Sequence, residues 1–135
     1  MILGAEETFN VGHESFVDSI SPTSSYAVIF EDDITTGYFY AVDINRNTEV
    51  LDALHAYNVA DVIDKDKPCI IQIFWTDDGA IASLLINNYC HAIFDFKRKA
   101  GYCRNSFPEN NSGWTKVQNR ALTDTLIKEI FAAGK

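Results

Sequence analysis

Cys69, Cys90 and Cys103, together with His55 and His91, are the side chains whose chemistry could make a metal site or a nucleophile. A tetrahedral zinc ion draws its ligands from closely spaced pairs such as CxxC or HxxxH, and neither spacing occurs. Cys69 and Cys90 also fall on opposite faces of the sheet deduced below. No metal and no cofactor is therefore expected, and the thiols read as buried and inert. Cys90 and His91 are neighbours in sequence, which suggests a thiol–imidazole dyad. Successive strand residues point to opposite faces, however, so the two cannot share the hydrogen bond that activates a nucleophile. His91 is expected in the core, with its nitrogens bound locally.

Carboxylates gather at Glu31, Asp32 and Asp33 and again at Asp77 and Asp78. Both groups sit at turn signals, and the first lacks the DxDxDG loop of a calcium-binding hand. Turn aspartates commonly cap backbone N–H groups, so an acidic, solvated surface is the expectation for all five. A looser constellation, Asp43, His55, Asp95, Tyr102 and Arg104, is a candidate binding pocket in which Arg104 would hold a carboxylate. An internal ion pair of Arg104 with Asp95 or Asp43 explains the same residues equally well. No phosphate-cradling glycine loop, GxSxG elbow or dinucleotide fingerprint is present, so no catalytic residue is assigned and enzymatic activity stays open.

The elements that must position these groups centre on residues 68–96. Two turn signals, Asp78-Gly79 and Asn87-Asn88, divide this stretch into a three-stranded meander. Two-residue loops pair Thr76 with Ile81, Phe74 with Ser83, Leu85 with Cys90 and Ser83 with Ala92. Alternation then puts Ile71, Ile73, Trp75, Leu84, His91 and Ile93 on the core face. Phe74, Cys90, Ala92, Phe94 and Phe96 fall on a mixed second face. Upstream, Tyr26–Glu31 and Gly37–Ile44 predict a β-hairpin. In residues 48–58, Val50, Leu51, Leu54 and Tyr57 follow helical spacing after an Asn47 or Thr48 cap, while Leu51, Ala53, His55 and Tyr57 alternate as in a strand; the helix is the preferred reading. Residues 1–23 form an ill-defined arm with a short edge strand near Glu14–Ile20. Residues 97–114 read as a loop with room for a short strand at Tyr102–Arg104, and residues 116–133 predict an amphipathic helix ended at Gly134. The expected architecture is α+β: one domain over residues 1–135, an antiparallel sheet of about five strands, and a C-terminal helix packed on one face.

At 135 residues and 47% apolar, the chain has the size and core-forming content of one globular domain. A formal charge of −8 disfavours nucleic acid and anionic membrane as partners and suits a basic protein. No signal peptide or membrane-spanning segment is read, and the odd number of cysteines fits reduced thiols, so a cytoplasmic location is expected.

The segments FEDDITTGYFYAVD (Phe30–Asp43), LDALHAYNV (Leu51–Val59), WTDDGAIASLLINNYCHAIFDF (Trp75–Phe96) and GYCRNSFP (Gly101–Pro108) resemble the bacterial family named domain of unknown function 2251. The resemblance implies bacterial, cytoplasmic, single-domain character and no particular activity. The residues themselves favour a non-enzymatic binding module such as an immunity or antitoxin-like protein. The alternatives are a small-molecule site or enzyme around Asp43, His55, Asp95, Tyr102 and Arg104, and a homodimer built on Phe74, Phe94 and Phe96.

Overall fold

The Asn87-Asn88 turn takes positive φ at both residues (52° and 67°), the geometry that matches the twist of a two-residue hairpin. At the other turn Gly79 has φ 68°, and Asp78 Oδ1 accepts from Thr76 Oγ1 at 2.6 Å and from the Ala80 N–H at 3.1 Å. The meander therefore forms where its turn chemistry puts it. The computed structural model in which this is seen describes residues 1–47, 49–63, 65–104 and 121–133. Its strands are β1 (Ile2–Phe9), β2 (Ser15–Ile20), β3 (Tyr26–Asp32), β4 (Thr36–Asp43), β5 (Glu49–Asn58), β6 (Cys69–Trp75), β7 (Ile81–Ile86), β8 (Tyr89–Asp95) and β9 (Ala100–Cys103). They are followed by helix α1 (Asp124–Ala133).

The α+β class with an antiparallel sheet around the meander holds, with a second sheet added. One sheet has the order β1-β6-β7-β8-β9 and the other β2-β3-β4-β5, every pair antiparallel. The two stack face to face. Phe39 meets Phe94 at 5.2 Å, Phe9 meets Phe30 at 5.3 Å, and Tyr26 meets Phe96 at 4.6 Å between ring centroids. At the sides, β5 lies against β9 and β1 against β2. Buried Trp75 donates its indole N–H to Ser19 Oγ at 2.9 Å across this interior. Burial of so many aromatic rings is the main favourable term holding the sheets together.

Three expectations are corrected. Residues 49–58 are a strand, not a helix: β5 pairs with β4 through Phe39–Leu54 and Tyr40–Ala53 and sends Leu54 and Ala56 into the core. The ladder of β4 needs a partner along this edge, and β5 supplies it. Residues 1–23 are more than an arm: β1 pairs with β6, while the edge strand expected near Glu14–Ile20 is β2, paired with β3 at the edge of its sheet. In the meander, Phe74–Ser83 and Leu85–Cys90 pair as expected, but Ser83 faces Ile93 and not Ala92, because the register shifts between Leu84 and Leu85. One extra residue in β8 turns Ala92, Phe94 and Phe96 into the inter-sheet core and Ile93 outward.

Ile93 is then covered by α1. Leu122 and Ile130, flanked by Leu126, Ile127 and Phe131, pack over Ile81, Cys90, Ile93, Ala100 and Tyr102. Thr123 Oγ1 accepts from the Leu126 N–H at 3.1 Å as a cap. The Thr48 cap, the start of the expected helix at residues 116–120, its Gly134 stop and most of the 97–114 loop lie outside the described residues. No helix among the described residues is long and apolar enough to cross a membrane.

Candidate functional site

The five residues expected around one pocket are spread over both sheets. Asp43 Oδ1, at the end of β4, accepts from Ser25 Oγ and from the Asn45 N–H, each at 3.1 Å. His55 stands on the outer surface of β5, its ring edge-on to Tyr38 at 4.8 Å. Asp95 is buried and accepts from the N–H groups of Lys97 and Arg98, both at 3.1 Å. Tyr102 lies beneath α1, where burial, and after it the Asp95 carboxylate, raise its phenol above the ordinary value. Arg104 is held at the far end of β8: its Nε donates to the Cys90 carbonyl at 2.6 Å, Nη2 to Asp124 at 2.6 Å, and its guanidinium sits 4.3 Å over Tyr89. The anticipated ion pair of Arg104 with Asp95 or Asp43 is thus replaced by one with Asp124. Only Asp95 and Tyr102 come together.

Among the five carboxylates expected at the surface, Asp32 is the exception and is fully buried. Its Oδ2 accepts from Tyr57 Oη at 2.6 Å and the Gly12 N–H at 2.8 Å, and its Oδ1 accepts from the Ile34 N–H at 2.8 Å. Alternation along β3 turns Asp32 inward with Val28 and Phe30, and three donors compensate its desolvation. Gly37 lacks a Cβ where the Tyr57 ring needs the space. The other four are solvent-facing or half-buried. Asp33 Oδ1 takes the N–H groups of Thr35 and Thr36, and Asp78 is held below its ordinary value by the Thr76 hydroxyl first and the Ala80 N–H second.

The thiol and imidazole at Cys90 and His91 diverge. Burial pushes the Cys90 thiol up to about 12, and its side chain packs under α1. Among the described residues no three His, Cys, Asp or Glu side chains come close enough to hold a metal ion.

The feature that does assemble is the outer face of the four-stranded sheet. Register aligns Phe16, Glu31, Tyr38 and His55 in one row across β2–β5 and Asp18, Ile29, Tyr40 and Ala53 in the next. A third row brings Ile20 and Val50 to the ends of Ala27 and Val42. Phe16 is 63% exposed, Ile20 58% and Val50 51%, high values for large apolar side chains. The Tyr38 and Tyr40 rings stack at 5.6 Å. Tyr40 Oη donates to Glu31 Oε1 at 3.2 Å, and burial, then the Glu31 charge, raise its phenol. No lysine or arginine lies in any of the four strands, and Arg46 is the single basic residue among positions 1–58, against ten acidic ones. The face therefore offers ring faces and carboxylates side by side, the pair of surfaces that a guanidinium or ammonium group prefers. Sequence reasoning missed Phe16, Ile20, Tyr38 and Tyr40. The alternation Phe16-Asp18-Ile20 and the charge asymmetry along the chain were the signals available.

Of the three rings expected to join two copies, Phe94 and Phe96 lie inside the inter-sheet core, and Phe74 alone stays half-buried outside it.

Residues 9–131 match the family described as an uncharacterized protein conserved in bacteria. An uncharacterized protein of Haemophilus influenzae is 45% identical over 96 residues, covering 69% of this chain and 60% of that relative, so the match spans less than two thirds of the relative's length. No solved structure matches. Since the family match takes in eight of the nine strands whole and all but the last two residues of α1, the chain belongs to the bacterial family domain of unknown function 2251.

Proposed function

We propose that the protein is a non-enzymatic binding module that takes a basic protein on the outer face of its four-stranded sheet, an immunity or antitoxin-like protein neutralising a basic toxin being the concrete form. The observation that carries this reading is the row Phe16–Glu31–Tyr38–His55 beside the Tyr38–Tyr40 stack, on a sheet whose strands hold no cation. Arginine side chains laid across stacked tyrosines gain cation–π energy of about 0.5–2 kcal/mol each, and neighbouring carboxylates steer their approach. Exposed Phe16, Ile20 and Val50 supply the apolar contact that charge alone lacks.

Affinity purification of the tagged chain from a bacterial lysate, at low and at high salt, tests the reading. The expected result is a basic protein retained at low salt, weakened by high salt and lost with the double substitution Phe16→Ser, Tyr38→Ser. Retention of nothing, or of a partner indifferent to both salt and the substitutions, overturns it.

A further inference from the structure

At the end of the sandwich where Asp32 is buried, the connection from β5 to β6 leaves a cleft of about 410 Å³ between the sheets. Val11, Val62 and Ile86 form its apolar walls, exposed Ile63 stands at its mouth, and Tyr57 and His91 line it from β5 and β8. We propose that this cleft is a binding site for a small, uncharged, mainly apolar molecule carrying one hydrogen-bonding group.

Size is the first argument, because cavities that hold small ligands run from about 300 to 1,000 Å³ and are mostly apolar with a few placed polar groups. Rigidity is the second. The Asp32 carboxylate ties the β1–β2 connection through Gly12, the β3–β4 turn through Ile34 and β5 through Tyr57. The Val59 N–H adds a bond to the Thr35 carbonyl at 2.9 Å. The side of the cleft formed by Val11 and Tyr57 is held in this way before binding, which reduces the ordering cost of taking up a ligand.

The polar groups fix the ligand's charge. Tyr57 spends its proton on Asp32, and burial and Asp32 both raise its phenol, so it presents a neutral ring. Burial, and then the Arg104 charge, lower His91, and its ring bonds the Ala56 backbone. A neutral imidazole with one nitrogen so engaged keeps the other as an acceptor. Asn87 Oδ1 accepts from the Ile70 N–H at 3.0 Å, which leaves its amide NH₂ as a donor. Exposed Lys67 is the one charged residue among the described residues that line the cleft, and no carboxylate is among them. A cation entering it would lose hydration with no carboxylate among the lining residues to replace it.

Cys69, half-buried at the edge of the cleft, provides a reporter, since Cys90 and Cys103 are buried elsewhere. The experiment titrates the isotope-labelled chain with indole and, separately, with the similarly sized cation benzamidinium. Saturable indole shifts confined to Val11, Ile63 and Ile86, benzamidinium at least ~10-fold weaker, and slower alkylation of Cys69 by N-ethylmaleimide in the presence of indole are expected. Val62→Trp and Ile86→Phe, which fill the cleft, should each weaken indole binding. If either variant fails to fold, protection of Cys69 in the unaltered chain decides. Absent cleft shifts, equal binding of the cation, unprotected Cys69, or undiminished indole binding in folded Val62→Trp would each overturn the proposal. The outcome is independent of the basic-partner reading, which rests on the opposite surface of β5.

Discussion

The two sheets carry similar outward surfaces and treat them differently. On the five-stranded sheet, Ile81, Cys90, Ile93 and Tyr102 are buried because α1 lies over them. On the four-stranded sheet, Phe16, Ile20 and Val50 keep half or more of their surface, and no described element covers them. An apolar stripe sealed by the chain's own helix contributes to stability. One left open beside Glu31 and Asp18 contributes to recognition, at some cost in solubility that the charge of −8 offsets.

Removing the buried carboxylate at the end of the four-stranded sheet should have the largest effect. Asp32→Ala leaves the Gly12 and Ile34 N–H groups and the Tyr57 hydroxyl without their acceptor, and should destabilise the fold by about 3–5 kcal/mol in denaturant unfolding. On the sealed side alone, Ile93→Ala opens a cavity under α1 and should cost about 2–4 kcal/mol. At the cleft the effect is one of pH. Folded His91 sits below its ordinary value of about 6.5, so the unfolded chain takes the proton first. Its contribution is complete above about pH 6.5 and is lost as pH falls below it toward the folded pKa, with a slope of at most about 1.4 kcal/mol per pH unit. His91→Gln should flatten that part of the stability–pH curve. On the open side, Phe16→Ser should change stability by no more than about 0.5 kcal/mol while weakening partner binding, the inverse of Ile93→Ala.

What could be read from the residues was what local chemistry decides. Asn87-Asn88 and Asp78-Gly79 announce their turns, and alternation places Ile71, Ile73 and Trp75 in the core without help from the rest of the chain. The bulge in β8 was illegible because Ala92, Ile93 and Phe94 are all apolar, so either frame satisfies the pattern and only packing on both sides selects one. Residues 49–58 fit both periods, and the choice of strand comes from the exposed ladder of β4, a tertiary demand. Asp32 looked like a turn carboxylate because its partners stand twenty and twenty-five residues away, at Gly12 and Tyr57. The spread of the five candidate pocket residues has a related reason: Asp43 and His55 belong to one sheet, Asp95 and Tyr102 to the other, and Arg104 follows β9. The aromatic face was half legible, its alternation visible in β2 and its assembly dependent on the order β2-β3-β4-β5.

The difference between the sealed and open faces is tested most directly by titrating the isotope-labelled chain with an octa-arginine peptide and mapping the perturbed residues. Shifts concentrated on Phe16, Glu31, Tyr38, Tyr40 and His55 are expected, with affinity reduced at least ~10-fold in the folded double variant Phe16→Ser, Tyr38→Ser. Shifts spread evenly over Asp61, Asp66, Asp77 and Asp78, with affinity unchanged by the double substitution, would contradict it.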